Sequence, residues 1–156
     1  HRLVPLVSDR SVVRLSAKES EERRVRWQTL AIEAIKQCGN RWLPRIDKPA
    51  PLAEVVACQA GFDLSLVASL EPGSEPLREC LESYRITQGR SPANVAVWIG
   101  PEGDFTRDES DAIRRTNTVP ITLGRLVLRS ETAALYCLSV LNYELEAPET
   151  PDRSEG

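Results

Sequence analysis

The sequence predicts an α/β fold, a mostly parallel sheet with flanking helices. Two observations carry that prediction. Short apolar, β-branched runs alternate along the chain with stretches of helical periodicity. Two glycine-containing segments, Ile99-Gly100-Pro101-Glu102-Gly103-Asp104-Phe105 and Leu123-Gly124-Arg125-Leu126-Val127-Leu128-Arg129-Ser130-Glu131-Thr132-Ala133, each follow such a run and open into a helix. In an open α/β sheet, ligands bind at the carboxyl ends of strands. Both segments fall there, so together they can form one pocket. A length of 156 residues suffices for one such domain with its own core.

The elements follow in order. Arg2–Leu6 and Ser11–Leu15 read as short extended pieces. A helix is expected from about Ser20 to Gln37, where Trp27, Leu30, Ala31, Ala34 and Ile35 form an apolar stripe and Gly39 supplies the stop. Arg41–Ile46 reads as a strand or extended loop, with Pro44 favouring an edge. Pro51 suits the first turn of a short helix ending near Gln59. Asp63–Leu70 is nearly continuous in apolar residues and predicts a strand, broken by Glu71-Pro72-Gly73-Ser74. A helix is expected over Leu77–Tyr84 and a loop over Gln88–Asn94.

Val95–Ile99 is apolar on both faces, as a buried parallel strand requires. Thr106-Arg107-Asp108-Glu109 is a capping box that opens a helix to about Thr116. Val119–Leu123 is the next strand. The last helix starts near Ser130, which suits a helix cap, and is apolar almost all round from Ala133 to Leu141, which predicts burial on most sides. Ala147–Gly156 is polar with two prolines and reads as a disordered tail.

Composition narrows the chemistry. No apolar run reaches the roughly 18 to 20 residues needed to cross a bilayer, and the first residues lack a secretory pattern. Cys38, Cys58, Cys80 and Cys137 form no Cys-x-x-Cys pair and read as reduced, buried thiols of a cytosolic protein. The sole histidine is His1, which argues against histidine-based metal sites and Ser-His or Cys-His catalysis. Charge is uneven: residues 1–48 hold 11 Lys/Arg and 6 Asp/Glu, a surplus of +5, against 9 and 17 over residues 49–156, a deficit of −8. The basic half is either a solvated helical face with local pairing or an electropositive ledge for a phosphate backbone.

In the first glycine segment, Gly100 and Gly103 can present main-chain donors to a ligand, and Glu102 offers a carboxylate. Neither the Walker phosphate loop nor the dinucleotide fingerprint is present. In the second segment, a capping role covers Ser130 and Glu131 but leaves Arg129 unexplained.

Both segments, in this order and spacing, resemble the RsmE family of the SPOUT class of methyltransferases. A third stretch, Glu33-Ala34-Ile35-Lys36-Gln37-Cys38-Gly39-Asn40-Arg41 with Pro44, is similar to another motif of that family, as are Val4-Pro5 and Ser8-Asp9-Arg10-Ser11. The likeness covers about residues 3–146. It implies that residues 1–146 form a SPOUT domain with a C-terminal trefoil knot, lacking the first strand and helix and the PUA-like RNA-binding domain of family members. The implied activity is S-adenosylmethionine-dependent methylation of N3 of a uridine in 16S ribosomal RNA by a cytoplasmic homodimer, without metal or membrane.

By the same resemblance, the cofactor contacts are Leu70, Ile99, Gly100, Glu102, Gly103, Leu123, Gly124, Leu128, Arg129, Thr132 and Ala133. The RNA contacts are Arg23, Arg24, Gln37 and Arg41. Uridine N3 must be unpaired and must lose its proton; Glu102 or a water can take it, and Arg129 can stabilise charge on the uracil carbonyls. Alternatively, Arg129 is structural and Glu102 orients backbone amides. Two departures stand out: Asn40 replaces the usual Arg, with Arg41 one place later, and Asp104 replaces a frequent glycine. A ribose 2′-O-methyltransferase and a non-catalytic RNA-binding domain are the competing readings.

Overall fold

A computed structural model describes residues 1–11, 15–58 and 61–145. The disordered tail expected over 147–156, most of the extended piece after Ser11 and the helix end near Gln59 lie outside those residues. In chain order the elements are β1 (Arg2–Leu3), β2 (Leu6–Val7), α1 (Ala17–Cys38), β3 (Arg45–Ile46), β4 (Ala50–Pro51), α2 (Leu52–Ala57), β5 (Leu64–Ala68), β6 (Glu75–Pro76), α3 (Leu77–Gln88), β7 (Val95–Trp98), α4 (Arg107–Arg114), β8 (Val119–Thr122) and α5 (Ser130–Leu145). They fall into two compact units: His1–Ala60 with Phe105–Thr116, and Gly61–Asp104 with Asn117–Gly156.

In the first unit, β1 pairs with β3 and β2 with β4, both parallel. Helix α1 begins at Ala17, three residues before the expected Ser20, because Ser16 and Glu19 form a capping box that satisfies two otherwise unpaired backbone donors. Gly39, at φ 70°, closes it. The expected apolar stripe is only partly covered: Trp27, Ala31 and Ile35 are half-buried, whereas Leu30 and Ala34 face solvent. Pro51 precedes the first turn of α2 rather than lying in it. The apolar interior comprises Ile46, Leu52, Phe105 and Ile113. Glu109 is buried with them, and its carboxylate accepts from the Asp9 and Thr106 amides at 2.8 and 2.9 Å.

The second unit holds a four-stranded, wholly parallel sheet in the order β6-β8-β5-β7. Leu64, Leu66, Leu77, Cys80, Leu81, Ile121 and Cys137 make its core, bringing α3 and α5 onto the sheet. Helix α3 runs to Gln88, beyond the expected Tyr84, and Gly89 at φ 67° ends it. Arg85, Ile86 and Thr87 add no apolar stripe there, since Ile86 is exposed, so periodicity alone understated its length.

Two expectations about burial are corrected. Helix α5 is not buried on most sides: only Ala133 and Cys137 are buried, while Leu135, Tyr136, Leu138 and Tyr143 are exposed. The sheet covers one stripe of that helix, and among the described residues the opposite one is left exposed. Of the four cysteines, all free, Cys80 and Cys137 are buried but Cys38 and Cys58 are exposed. Burial pushes the Cys80 thiol up to about 12 and the Cys137 thiol up to about 11, so both stay protonated at neutral pH.

Candidate active site

Three adjacent strands, β8, β5 and β7, end on the same edge of the sheet. The chain leaves β5 through Ser69, whose amide donates to the Ile121 carbonyl at 3.0 Å and whose hydroxyl accepts from the Glu71 amide at 3.1 Å. The end of β7 is pinned from below. The Trp98 indole donates to Ser65 Oγ at 3.3 Å, and Ser65 shares a hydrogen bond with Thr118 at 2.9 Å. All three side chains are buried, so the polar atoms answer one another away from water. After β8, the Gly124 amide donates to Thr122 Oγ1 at 3.3 Å. Gly124 takes φ 112°, which a side chain would strain.

The first glycine segment closes as a turn in which the Asp104 amide donates to the Pro101 carbonyl at 2.8 Å. The left-handed residue of that turn is Asp104, at φ 61°. Asp tolerates this region better than most side chains, so the turn survives without glycine at that place. The two segments are tied directly: Ser130 Oγ donates to the Gly100 carbonyl at 2.7 Å. Ser130 therefore does not cap its own helix, as the sequence suggested. The first turn of α5 is closed instead by the Ala133 amide on the Arg129 carbonyl at 2.8 Å.

Between these strand ends lies a shallow cleft that opens to solvent. Of the expected cofactor residues, Leu70, Ile99, Gly100, Glu102, Leu123, Gly124, Leu128 and Ala133 line it. Gly103, Arg129 and Thr132 are not among the lining residues and are exposed nearby. Pro101, Asp104, Leu126, Val127 and Ser130 of the two glycine segments line the cleft as well, together with Ala68, Ser69 and Thr122, which lie outside both segments. The small polar residues directly after β5 and at the end of β8 were the available signal for Ser69 and Thr122.

The lining is apolar and rich in backbone, with two carboxylates, Glu102 and Asp104, and no lysine or arginine. Such a surface suits a neutral or cationic ligand with an apolar plane and disfavours a polyphosphate. Among the described residues no group of three metal-ligating side chains occurs, and no helix is long and apolar enough to cross a membrane. The expected RNA residues belong to the first unit. Arg24 is held by Glu21 at 2.6 Å, and Arg23, Gln37 and Arg41 are exposed. The hydrogen bonds from Arg24 and then Lys48 hold the Glu21 carboxyl down to about 2.

The architecture defines a parallel α/β protein with a small-ligand cleft over the ends of three strands. The chain belongs to the RNA methyltransferase domain family, whose model matches residues 1–142. It is 30% identical over 146 residues to the ribosomal RNA small subunit methyltransferase E of Bacillus subtilis, covering 94% of this chain and 57% of that one. It is 39% identical over 109 residues to the same-named protein of Rickettsia conorii, covering 69% of this chain and 42% of that one. The chain thus spans about half the length of these curated relatives. The ribosomal RNA small subunit methyltransferase E of Neisseria gonorrhoeae, solved with S-adenosylmethionine bound, matches with a TM-score of 0.75 and 26% identity, over 90% of this chain and 55% of that one.

Proposed function

We propose that this chain is the catalytic part of an enzyme that transfers a methyl group from S-adenosylmethionine to N3 of a uridine in small-subunit ribosomal RNA. The observation that carries this reading is the cleft itself. A bent cofactor with an adenine plane and cationic sulfonium and ammonium groups fits a slot of Leu, Ile and Val side chains, backbone amides and two carboxylates. Leu70, Ile99, Leu123, Leu128 and Ala133 would hold the apolar part, with the main chain of Gly100, Gly103 and Gly124 beside it. Arg129 and Thr132 would contact the cofactor from the mouth. When bound, the cofactor supplies an electrophilic methyl group.

The chain's own residues position the uracil and remove its N3 proton. Glu102 lines the cleft and is the candidate base; Arg129, exposed at the entry to α5, would stabilise negative charge on the uracil carbonyls. Arg23, Arg24, Gln37 and Arg41 would guide the RNA. The family resemblance read from the sequence would add a knotted C-terminal segment, a homodimer and a cytoplasmic place, where free thiols persist.

Calorimetry with S-adenosylmethionine and mass spectrometry of nucleosides from a treated small-subunit RNA test the reading. Binding with 3-methyluridine as product is expected, and Glu102→Gln should lower methyl transfer at saturating cofactor by about a hundredfold or more. No binding at millimolar cofactor would sink the proposal, and 2′-O-methylation would replace it with ribose chemistry.

A further inference from the structure

We propose that the turn after α1 is a docking point for an unpaired RNA strand, with Trp42 stacking on a base and Arg41 countering an adjoining phosphate. The inference rests on the RNA-substrate reading above and adds a residue and a mode of binding to it. Trp42 is 74% exposed, whereas Trp98 is 5% exposed and Trp27 is half-buried. Leaving an indole in water forfeits its apolar burial, and here the backbone beneath it is firmly held. Asn40 Oδ1 accepts from the Trp42 amide at 2.9 Å. The Gln28 side chain donates to the Pro44 carbonyl and accepts from the Ile46 amide, both at 3.0 Å. The indole is therefore presented on a braced turn rather than on a loose loop.

Charge selects the partner. Acids of the same unit are engaged by other cations: Glu21 by Arg24 and Lys48, Glu22 by Lys18, Glu33 by Lys36, and Asp47 by Arg2 and Arg45. Arg26 and Arg41 are exposed and form no ion pair among the described residues. A ring in solvent with the unpaired Arg41 guanidinium on the adjoining residue is complementary to a nucleic acid strand, which offers a π-face and a phosphate at each step. A purely apolar protein partner would leave those arginines unanswered.

The test is fluorescence anisotropy of the full chain with a labelled single-stranded RNA of about 12 nucleotides, across a salt series. Trp42→Ala is expected to weaken binding by about fivefold or more with an unchanged salt slope, and Trp42→Phe to retain most of the affinity. Arg41→Gln should flatten the slope of log affinity against log salt by about 0.7, one phosphate on a single strand. Because Trp42 is exposed, thermal unfolding of Trp42→Ala should match the parent. Wild-type binding that Trp42→Ala leaves unchanged would overturn the stacking platform alone. An absence of RNA binding by the parent would overturn the RNA reading with it. A change of sedimentation in Trp42→Ala without loss of RNA affinity would reassign the indole to contact between copies.

Discussion

At the scale of single residues, the site depends on a few polar atoms that hold two loops together. Ser130 is the clearest case, because its hydroxyl reaches the Gly100 carbonyl at 2.7 Å and both residues line the cleft. A neutral hydrogen bond of this kind contributes about 1 kcal/mol net, so Ser130→Ala should weaken S-adenosylmethionine binding by roughly three- to tenfold. Ser130→Thr keeps the hydroxyl and should recover the loss, while Ser130→Val keeps the shape without it and should not. Isothermal titration of the three variants reads the difference directly; equal affinities would show that the loops are held by other means. The sequence could not reveal this contact. A serine before an apolar helix is read locally as a cap, and the partner carbonyl lies 30 residues away. The same limit applies to Asp104: the sequence showed a glycine-bearing turn, but not which of its residues would take φ 61°.

At the scale of elements, the pairing of β5 with β7 is set by a clamp before both strands. Asp63 accepts from both terminal nitrogens of Arg90, at 2.8 and 3.0 Å, and from the Ala93 amide at 2.7 Å. Its own amide donates to the Asn94 carbonyl at 2.9 Å, placing Leu64 opposite Val95. The Arg90 hydrogen bonds foremost, then the Ala93 amide, hold the Asp63 carboxyl well below its ordinary 3.8. A depressed pKa stabilises the fold in full above the unfolded value and loses that contribution as pH falls through the folded one. Asp63→Asn should therefore unfold at lower denaturant than the parent at pH 7, and the gap should narrow as pH drops below about 4. Denaturant melts at a series of pH values check this; a gap that holds constant into strong acid would assign the clamp's effect to shape alone. Strand and helix identity were legible because composition alternates so plainly, as in Leu64–Ala68 and Val95–Trp98. Element ends were less legible. The start of α1 turned on Ser16 and Glu19, and the end of α3 on Gly89 rather than on any stripe.

At the scale of the whole molecule, the apolar excess of α5 is the feature that pattern alone misassigned. A helix apolar all round is normally buried, yet Leu135 is 66% and Leu138 61% exposed. Its inner stripe, through Ala133 and Cys137, meets the sheet. Beside the outer one runs a groove between Pro76, Leu77, Tyr136, Val140 and Tyr143. Exposed apolar surface of this kind is what a protein interface would cover, and a second copy of the chain is the partner the proposed homodimer requires. Leu138→Glu should move the sedimenting species from dimer to monomer without lowering the thermal midpoint of the monomer, because the side chain is largely exposed. The groove and the cleft proposed for the cofactor share Thr122, Leu123 and Gly124. A ligand that orders this loop on one side must then favour, by reciprocal linkage, whatever orders it on the other. S-adenosylmethionine should accordingly lower the dimer dissociation constant, and the monomeric Leu138→Glu variant should bind the cofactor more weakly than the parent. Sedimentation with and without cofactor measures the first effect and calorimetry the second. If the two changed independently, the shared loop would be a rigid wall rather than a coupling element.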